Sequence, residues 1–318
     1  MRLKNDLSLS LRLSTFLGTV FLTNSTWALP NAPPASSDNL KIYMEQIISQ
    51  QGHRNYKNIA ELKRVSAWIK EQMRLFAIPC HYQNYSVNGL GYRNVVCTLT
   101  TGHSEKVIVG AHYDVLGEQQ GADDNASGVA GVIETARILA QQKSQLAHNV
   151  EFVFYTLQEP PFFKTEQMGS YIHAKSVQAQ KDQIQGVYIL EMIGYYDENL
   201  VQQYPVGLKW VYPSHGNFIA AMSNLQSYEL GAKYCQSIQT LNRLECQRVV
   251  APSFVSTMDF SDHMNYWKFG IPAMMITDTA SFRNRHHHSK GDTLKTLNIG
   301  KMAHVVDGLV YSLMAQSE

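Results

Sequence analysis

Short apolar runs and helical stripes alternate along this chain. Leu40, Tyr43, Met44, Ile47 and Ile48 recur three and four residues apart, which predicts a helix. Ile59, Leu62, Val65, Ile69, Met73 and Phe76 predict a longer one. Arg93 to Thr100 (RNVVCTLT) reads as a strand, and Lys106 to Ala111 (KVIVGA) is short and apolar enough to be a buried one. Val129, Val132, Ile133, Ala136 and Leu139 mark the next helix. Glu151 to Leu157 (EFVFYTL) predicts a second buried strand, Gln167 to Gln180 a helix, and Gly186 to Leu190 (GVYIL) a third strand. Leu208 to Tyr212 and Ile271 to Ile276 are expected to complete the strand set. Ile299, Met302, Val305, Val306, Leu309 and Leu313 line one side of a last helix over Asn298 to Met314. This alternation predicts an α/β fold: three layers, a mostly parallel twisted sheet with helices on both faces. No internal repeat or low-complexity linker interrupts it, so residues 40–318 are expected to form a single domain.

The N-terminus follows a different pattern. Arg2, Lys4 and Arg12 precede an apolar stretch, Leu13 to Leu22, and then a polar, small-residue patch ending at Trp27-Ala28. These are the three parts of a secretory signal peptide, residues 1–28. The apolar run is shorter than the roughly 20 residues a membrane span needs. Cleavage is expected after Ala28, with Ala32 and Ala35 as further options. Residues 29–39, with Pro30, Pro33 and Pro34, read as a lead-in to the domain. An exported chain, periplasmic or secreted, changes the meaning of Cys80, Cys97, Cys235 and Cys246, because an even cysteine count in an oxidising compartment suggests disulfides. Sequence proximity favours Cys80–Cys97 and Cys235–Cys246, although four cysteines allow three pairings. No later segment is apolar enough to span a membrane.

Composition narrows the function classes by exclusion. Lys and Arg number 27 against 26 Asp and Glu, so the chain lacks the basic footprint of a nucleic-acid binder. Hydrophobic residues at 44% and charged residues at 17% exclude a disordered chain. The chemistry must come from particular side chains.

Those side chains gather after the strands. KVIVGA is followed by His112-Tyr113-Asp114, EFVFYTL by Gln158-Glu159, GVYIL by Glu191, and the strand at Ile271 by a loop holding His286-His287-His288. Asp123-Asp124 stand in GADDNASG just before a helix. In open α/β sheets, sites form beyond the carboxyl ends of the strands. Five segments delivering His, Asp or Glu to one edge point to a hydrolytic metal site. Imidazole with carboxylate suits zinc, and a carboxylate shared between ions permits a two-metal centre.

The motifs GAHYD (110–114), GADDNASG (121–128), QEPPFFKTEQMGS (158–170), LEMIGYY (190–196), FSDH (260–263), GIPAMMITDT (270–279) and RNRHHHSKGDT (283–293) occur in that order. Together they resemble the co-catalytic zinc aminopeptidases of the bacterial leucyl aminopeptidase type, peptidase family twenty-eight of clan MH. Glutaminyl cyclases share that superfamily. The resemblance implies a zinc-exopeptidase-like fold and two zinc ions per chain. The expected ligands are His112, Asp123, Glu159, Glu191 and His288, with Asp123 bridging and Asp124 held by a cis peptide bond. His288 is chosen over His286 and His287 because it stands four residues before Asp292-Thr293. Asp114 is expected to orient His112, while Asp124, Asp262 and His263 are placed beside the ligands or the substrate. The implied reaction is hydrolysis of N-terminal peptide bonds by metal-activated water, on a peptide or protein with a free N-terminus.

One position departs from that pattern. The family carries two glutamates where this chain has Gln158-Glu159, and the first is the general base. A carboxamide cannot take up and return a proton near neutral pH. Losing a general base typically costs about 10²- to 10⁴-fold, so weak activity is expected. Glu166, in the same loop, is a possible rescue. Two other readings stand beside the aminopeptidase: a non-catalytic metal- or peptide-binding relative, and, ranked lower, a glutaminyl cyclase, which also relies on a glutamate at the Gln158 position. Tyr195, Tyr196, Trp210 and Phe282 are candidates to line a side-chain pocket.

Overall fold

The computed structural model describes residues 31–48, 52–204, 208–253, 255 and 258–315. The expected signal peptide lies outside the described residues.

Ten strands are described: β1 Cys80–Val87, β2 Leu90–Leu99, β3 Lys106–His112, β4 Asn149–Tyr155, β5 Ile184–Leu190, β6 Asp197–Val201, β7 His215–Gly216, β8 Phe218–Ser223, β9 Glu245–Val250 and β10 Ala273–Thr277. Eight form one sheet in the order β1-β2-β4-β3-β5-β10-β8-β9, and β6 pairs with β7 beside it. The four central strands, β4, β3, β5 and β10, run parallel. Antiparallel pairings join β1 to β2, β2 to β4 and β8 to β10. The mixed edges need only short turns or pack as outer strands, whereas the parallel centre requires crossover helices.

The helices are α1 Ser37–Ile47, α2 Ile59–Leu75, α3 Gly128–Gln141, α4 Gly169–Val177, α5 Tyr228–Leu241, α6 His263–Trp267 and α7 Ile299–Met314. Their starts follow from capping. Ser36, Asn58 and Asn298 each accept a backbone N–H three residues on, satisfying a donor that the first turn leaves free. The period-2 alternation of the central strands divides the core. Val107 and Val109 face a large cluster with α1, α2, α3, α5 and α7. Ile108 faces a smaller cluster with α4 and α6 on the other side.

The Leu208–Tyr212 strand is corrected: Leu208–Trp210 make a short 3₁₀ turn, with Trp210 and Val211 exposed. Strands β1, β8 and β9 and helix α5 were not expected. The polar alternation of β1 (CHYQNYSV) marks an edge strand, and α5 buries only Gly231, Tyr234, Cys235 and Ile238, too sparse a stripe to read. Two disulfides form, in the pairing that proximity favours. Cys80–Cys97 joins directly opposed residues of β1 and β2, and Cys235–Cys246 ties α5 to β9.

Candidate metal centre

The carboxyl ends of the four parallel strands supply the site. His112 ends β3, Gln158 and Glu159 follow β4, and Glu191 follows β5 directly. The loop after β10 returns His287 and His288 to the same edge, and the turn Ala122–Ser127 before α3 adds Asp124. Gly121 must be glycine there, because its φ is +57° and a Cβ would lie 2.2 Å from the Asp124 carbonyl oxygen.

Two donor groups meet on Asp124. Its Oδ1 lies 3.3 Å from His112 Nε2, which is also 3.3 Å from Glu191 Oε1. Its Oδ2 lies 3.1 Å from His288 Nε2, which is 3.2 Å from Glu159 Oε2. His287 Nε2 stands 3.4 Å from the same Oδ2. The shared carboxylate is therefore that of Asp124, one residue beyond the expected Asp123. Asp123 points elsewhere: its Oδ1 accepts the Gly194 N–H at 2.9 Å and its Oδ2 the Asn284 amide at 2.7 Å. The cis bond likewise follows Asp124, joining it to Asn125. Adjacent aspartates in GADDNASG are chemically equal as text, and only the backbone path decides which one turns inward.

Supporting residues fix these groups. The Asp114 carboxylate accepts the backbone N–H groups of Gln158 and Glu159, both at 3.2 Å. It also faces His112 Nδ1 at 3.5 Å, which leaves Nε2 directed to Asp124 and Glu191. The Asp292 carboxylate accepts the N–H groups of Asp123 at 2.8 Å and Asp124 at 3.0 Å. Ser261 Oγ donates to Glu191 Oε2 at 2.5 Å, and buried Arg54 donates through Nη2 to the Gly121 carbonyl at 2.6 Å. Sequence reasoning missed Asp292, Ser261 and Arg54. Asp292 and Ser261 stood inside quoted motifs, but Arg54 carried no signal.

Asp262 and His263 sit deeper. Both are fully buried, and burial raises the Asp262 carboxyl to about 7. His263 donates from Nε2 to the Met258 carbonyl at 2.7 Å and packs edge-on against Trp267. Burial lowers its pKa to about 4, so it stays neutral. Glu166 is exposed.

Electrostatics show what the cluster lacks. Burial and the Asp124 charge push Glu159 up to about 8, and its Oε1 is buried without a partner. Burial opposes charge on His288, but hydrogen bonds to Asp124 and Glu159 outweigh it and lift that imidazole to about 10. His112 rises well above its ordinary value, because Glu191, Asp114 and Asp124 outweigh its burial. Buried carboxylates and imidazole nitrogens converging in this way fit a divalent cation of borderline softness, zinc above all.

A cavity of about 260 Å³ opens from these groups. Asp124, Gln158, Glu159, Glu191, His287 and His288 line one end. Phe218, Met222, Met275, Tyr212 and Phe282 line the apolar remainder. Its floor is a cross-strand ladder in which Met275 opposes Met222 and Thr277 opposes Ala220. Of the four aromatic candidates, Phe282 alone lines it: Tyr196 is buried in the core, Tyr195 packs against His286, and Trp210 is exposed.

Residues 94–313 match peptidase family M28. The chain belongs to that family. It is 37% identical over 311 residues to the uncharacterized protein YfbL of Escherichia coli (strain K12), covering 94% of this chain and 95% of that one. It is 23% identical over 332 residues to leucine aminopeptidase 1 of Sclerotinia sclerotiorum, covering 93% of this chain and 79% of the relative. Among solved structures, the glutaminyl cyclase of Porphyromonas gingivalis superposes with a TM-score of 0.68 at 18% identity, covering 88% of this chain and 99% of that one. Membership makes this a hydrolase of the M28 peptidase type, with the three-layer α/β fold of its relatives.

Proposed function

We propose that this chain is an exported, zinc-dependent aminopeptidase that works slowly. The observation that carries the reading is the division of Asp124 between two donor groups at the end of an apolar cavity. His112, Asp124 and Glu191 would hold one ion; Asp124, Glu159 and His288 would hold the other. Zinc, when bound there, supplies Lewis acidity toward a peptide carbonyl and toward water. The chain's own groups do the rest. The carboxylates around the ions attract a free amino terminus, and the cavity takes an apolar side chain out of water. Asp114 holds both the His112 ring and the Gln158-Glu159 backbone in place. Two disulfides fit passage through an oxidising compartment.

Gln158 lines the cavity beside Glu159, where the leucyl aminopeptidase pattern has its base. Its amide can orient a water molecule or a carbonyl but cannot carry a proton. That one residue favours a second reading, a relative that binds metal and peptide without turnover. Cyclisation ranks below hydrolysis, because ligand-type residues for two ions are available: His112 faces Asp124 and Glu191, and His288 faces Asp124 and Glu159.

The test is turnover of an aminoacyl-arylamide panel by the zinc-loaded mature protein beside Gln158→Glu. A gain of roughly 10²- to 10⁴-fold on restoring the carboxylate is the expected result. Strong wild-type turnover that Gln158→Glu does not improve would show that another group carries the proton. No turnover by either protein would reject the peptidase reading for the binding-only one.

A further inference from the structure

We propose that His287 is also a metal ligand. The ion beside His288 would then be held by four side chains, Asp124, Glu159, His287 and His288, and the ion beside His112 by three. This rests on the metal-centre reading above and extends it, since a five-ligand centre uses one histidine from this loop.

Three observations place His287 in the donor set. Its Nε2 lies 3.4 Å from Asp124 Oδ2, the same oxygen that His288 Nε2 approaches at 3.1 Å. One donor atom from each of Asp124, His287 and His288 falls within 4.8 Å of the others, the same limit that His112, Asp124 and Glu191 meet, and Glu159 joins the first group through His288 at 3.2 Å. The two rings also stack, with centroids 3.8 Å apart and planes inclined by 23°, which presents two imidazole edges side by side.

The backbone explains how neighbours in sequence can do this. In an extended segment, successive side chains point to opposite faces. Here His288 has φ +56°, a left-handed conformation uncommon outside glycine, and the alternation is broken. The loop is pinned at its start, where Asn284 Oδ1 accepts the His286 N–H at 2.9 Å and the Asn284 amide donates to Asp123. His286 does not join the pair: it packs against Tyr195 and Gly291 instead.

The consequence is an asymmetric centre. Zinc with four protein ligands is closed, whereas catalytic zinc keeps a position open. The His288-side ion becomes the tightly held one, and the open position belongs to the His112 side. One histidine more on one ion thus divides the roles of two ions that share a carboxylate.

The experiment is zinc-edge X-ray absorption on the mature protein loaded with zinc, beside His287→Ala and His287→Phe. The phenylalanine keeps a ring to stack on His288 but offers no donor. Chelator competition on the same samples gives both affinities. The expected result is about three imidazoles shared between two ions in the wild type and about two in either variant. One of the two affinities should fall in both variants by more than the roughly 10- to 100-fold typical of groups behind the ligands, while the other holds. Two bound zincs with the same imidazole count and the same affinities in all three proteins would overturn the proposal and leave the metal centre standing. A wild type that binds no zinc would overturn the metal-centre reading and this inference with it.

Discussion

Strand β4 carries a buried glutamate within it and another just past its end, and the two behave in opposite ways. Glu151 lies within the strand on the side packed by α4 and α6. It takes Lys106 Nζ at 3.1 Å and His173 Nε2 at 3.4 Å. Burial disfavours its charge, but His173 and Lys106 outweigh that and hold it down at about 2. His173 in turn meets the Tyr266 hydroxyl at 2.7 Å, which meets that of Tyr155 at 2.6 Å. Glu159 faces Asp124 and His288, and burial with the Asp124 charge drives it up to about 8. The protein completes the first site by itself. The second packs buried carboxylates against one another, an arrangement that a bound cation would relieve.

Four substitutions probe that contrast. Asp124→Asn should have the largest effect, since both donor groups lose their common member. Zinc affinity should fall by more than the roughly 10- to 100-fold typical of groups behind the ligands, with hydrolysis lost alongside. Asp123→Asn, whose carboxylate faces Gly194 and Asn284, should keep zinc bound. Equal loss in both variants, read by metal analysis after dialysis, would remove Asp124 from its shared role.

Glu151→Gln acts on the self-satisfied site. The folded-state pKa is depressed from the ordinary 4.5 to about 2, so its stabilisation is present above about 4.5 and is lost as the pH falls toward 2. At neutral pH the variant should be less stable by on the order of 3 kcal/mol. The gap from the wild type should close in acid. Urea unfolding from pH 7 to pH 2.5 checks this, and a gap independent of pH would show that the loss is packing alone.

Asp114→Asn should weaken zinc binding less than Asp124→Asn does. The side chain keeps its shape but loses the charge behind His112 and one of its two acceptors for the Gln158 and Glu159 N–H groups. A loss of roughly 10- to 100-fold in zinc affinity is expected, with little change in melting temperature in excess zinc.

Much of this was legible in the sequence, and the failures are local. The central strands were readable because each is a continuous apolar run, as burial on both faces demands. The ligand segments were readable because such runs end where the chemistry sits. Asp123 was chosen over Asp124 because motif text carries no backbone direction, and the turn at Ala122–Ser127 reverses which carboxylate faces inward. Arg54 was invisible, since its work is done through carbonyls of a distant loop. The approach of His287 to Asp124 was not legible, because one left-handed residue at His288 cannot be read from a row of histidines.

Zinc is proposed to complete the acid cluster. The most direct measurement is the zinc content of the mature protein after saturation and dialysis, with melting temperature followed through chelation and refilling. Two zincs per chain, a fall in melting temperature on chelation, and recovery when zinc is returned are expected. No retained zinc, with a melting temperature indifferent to chelator, would contradict it.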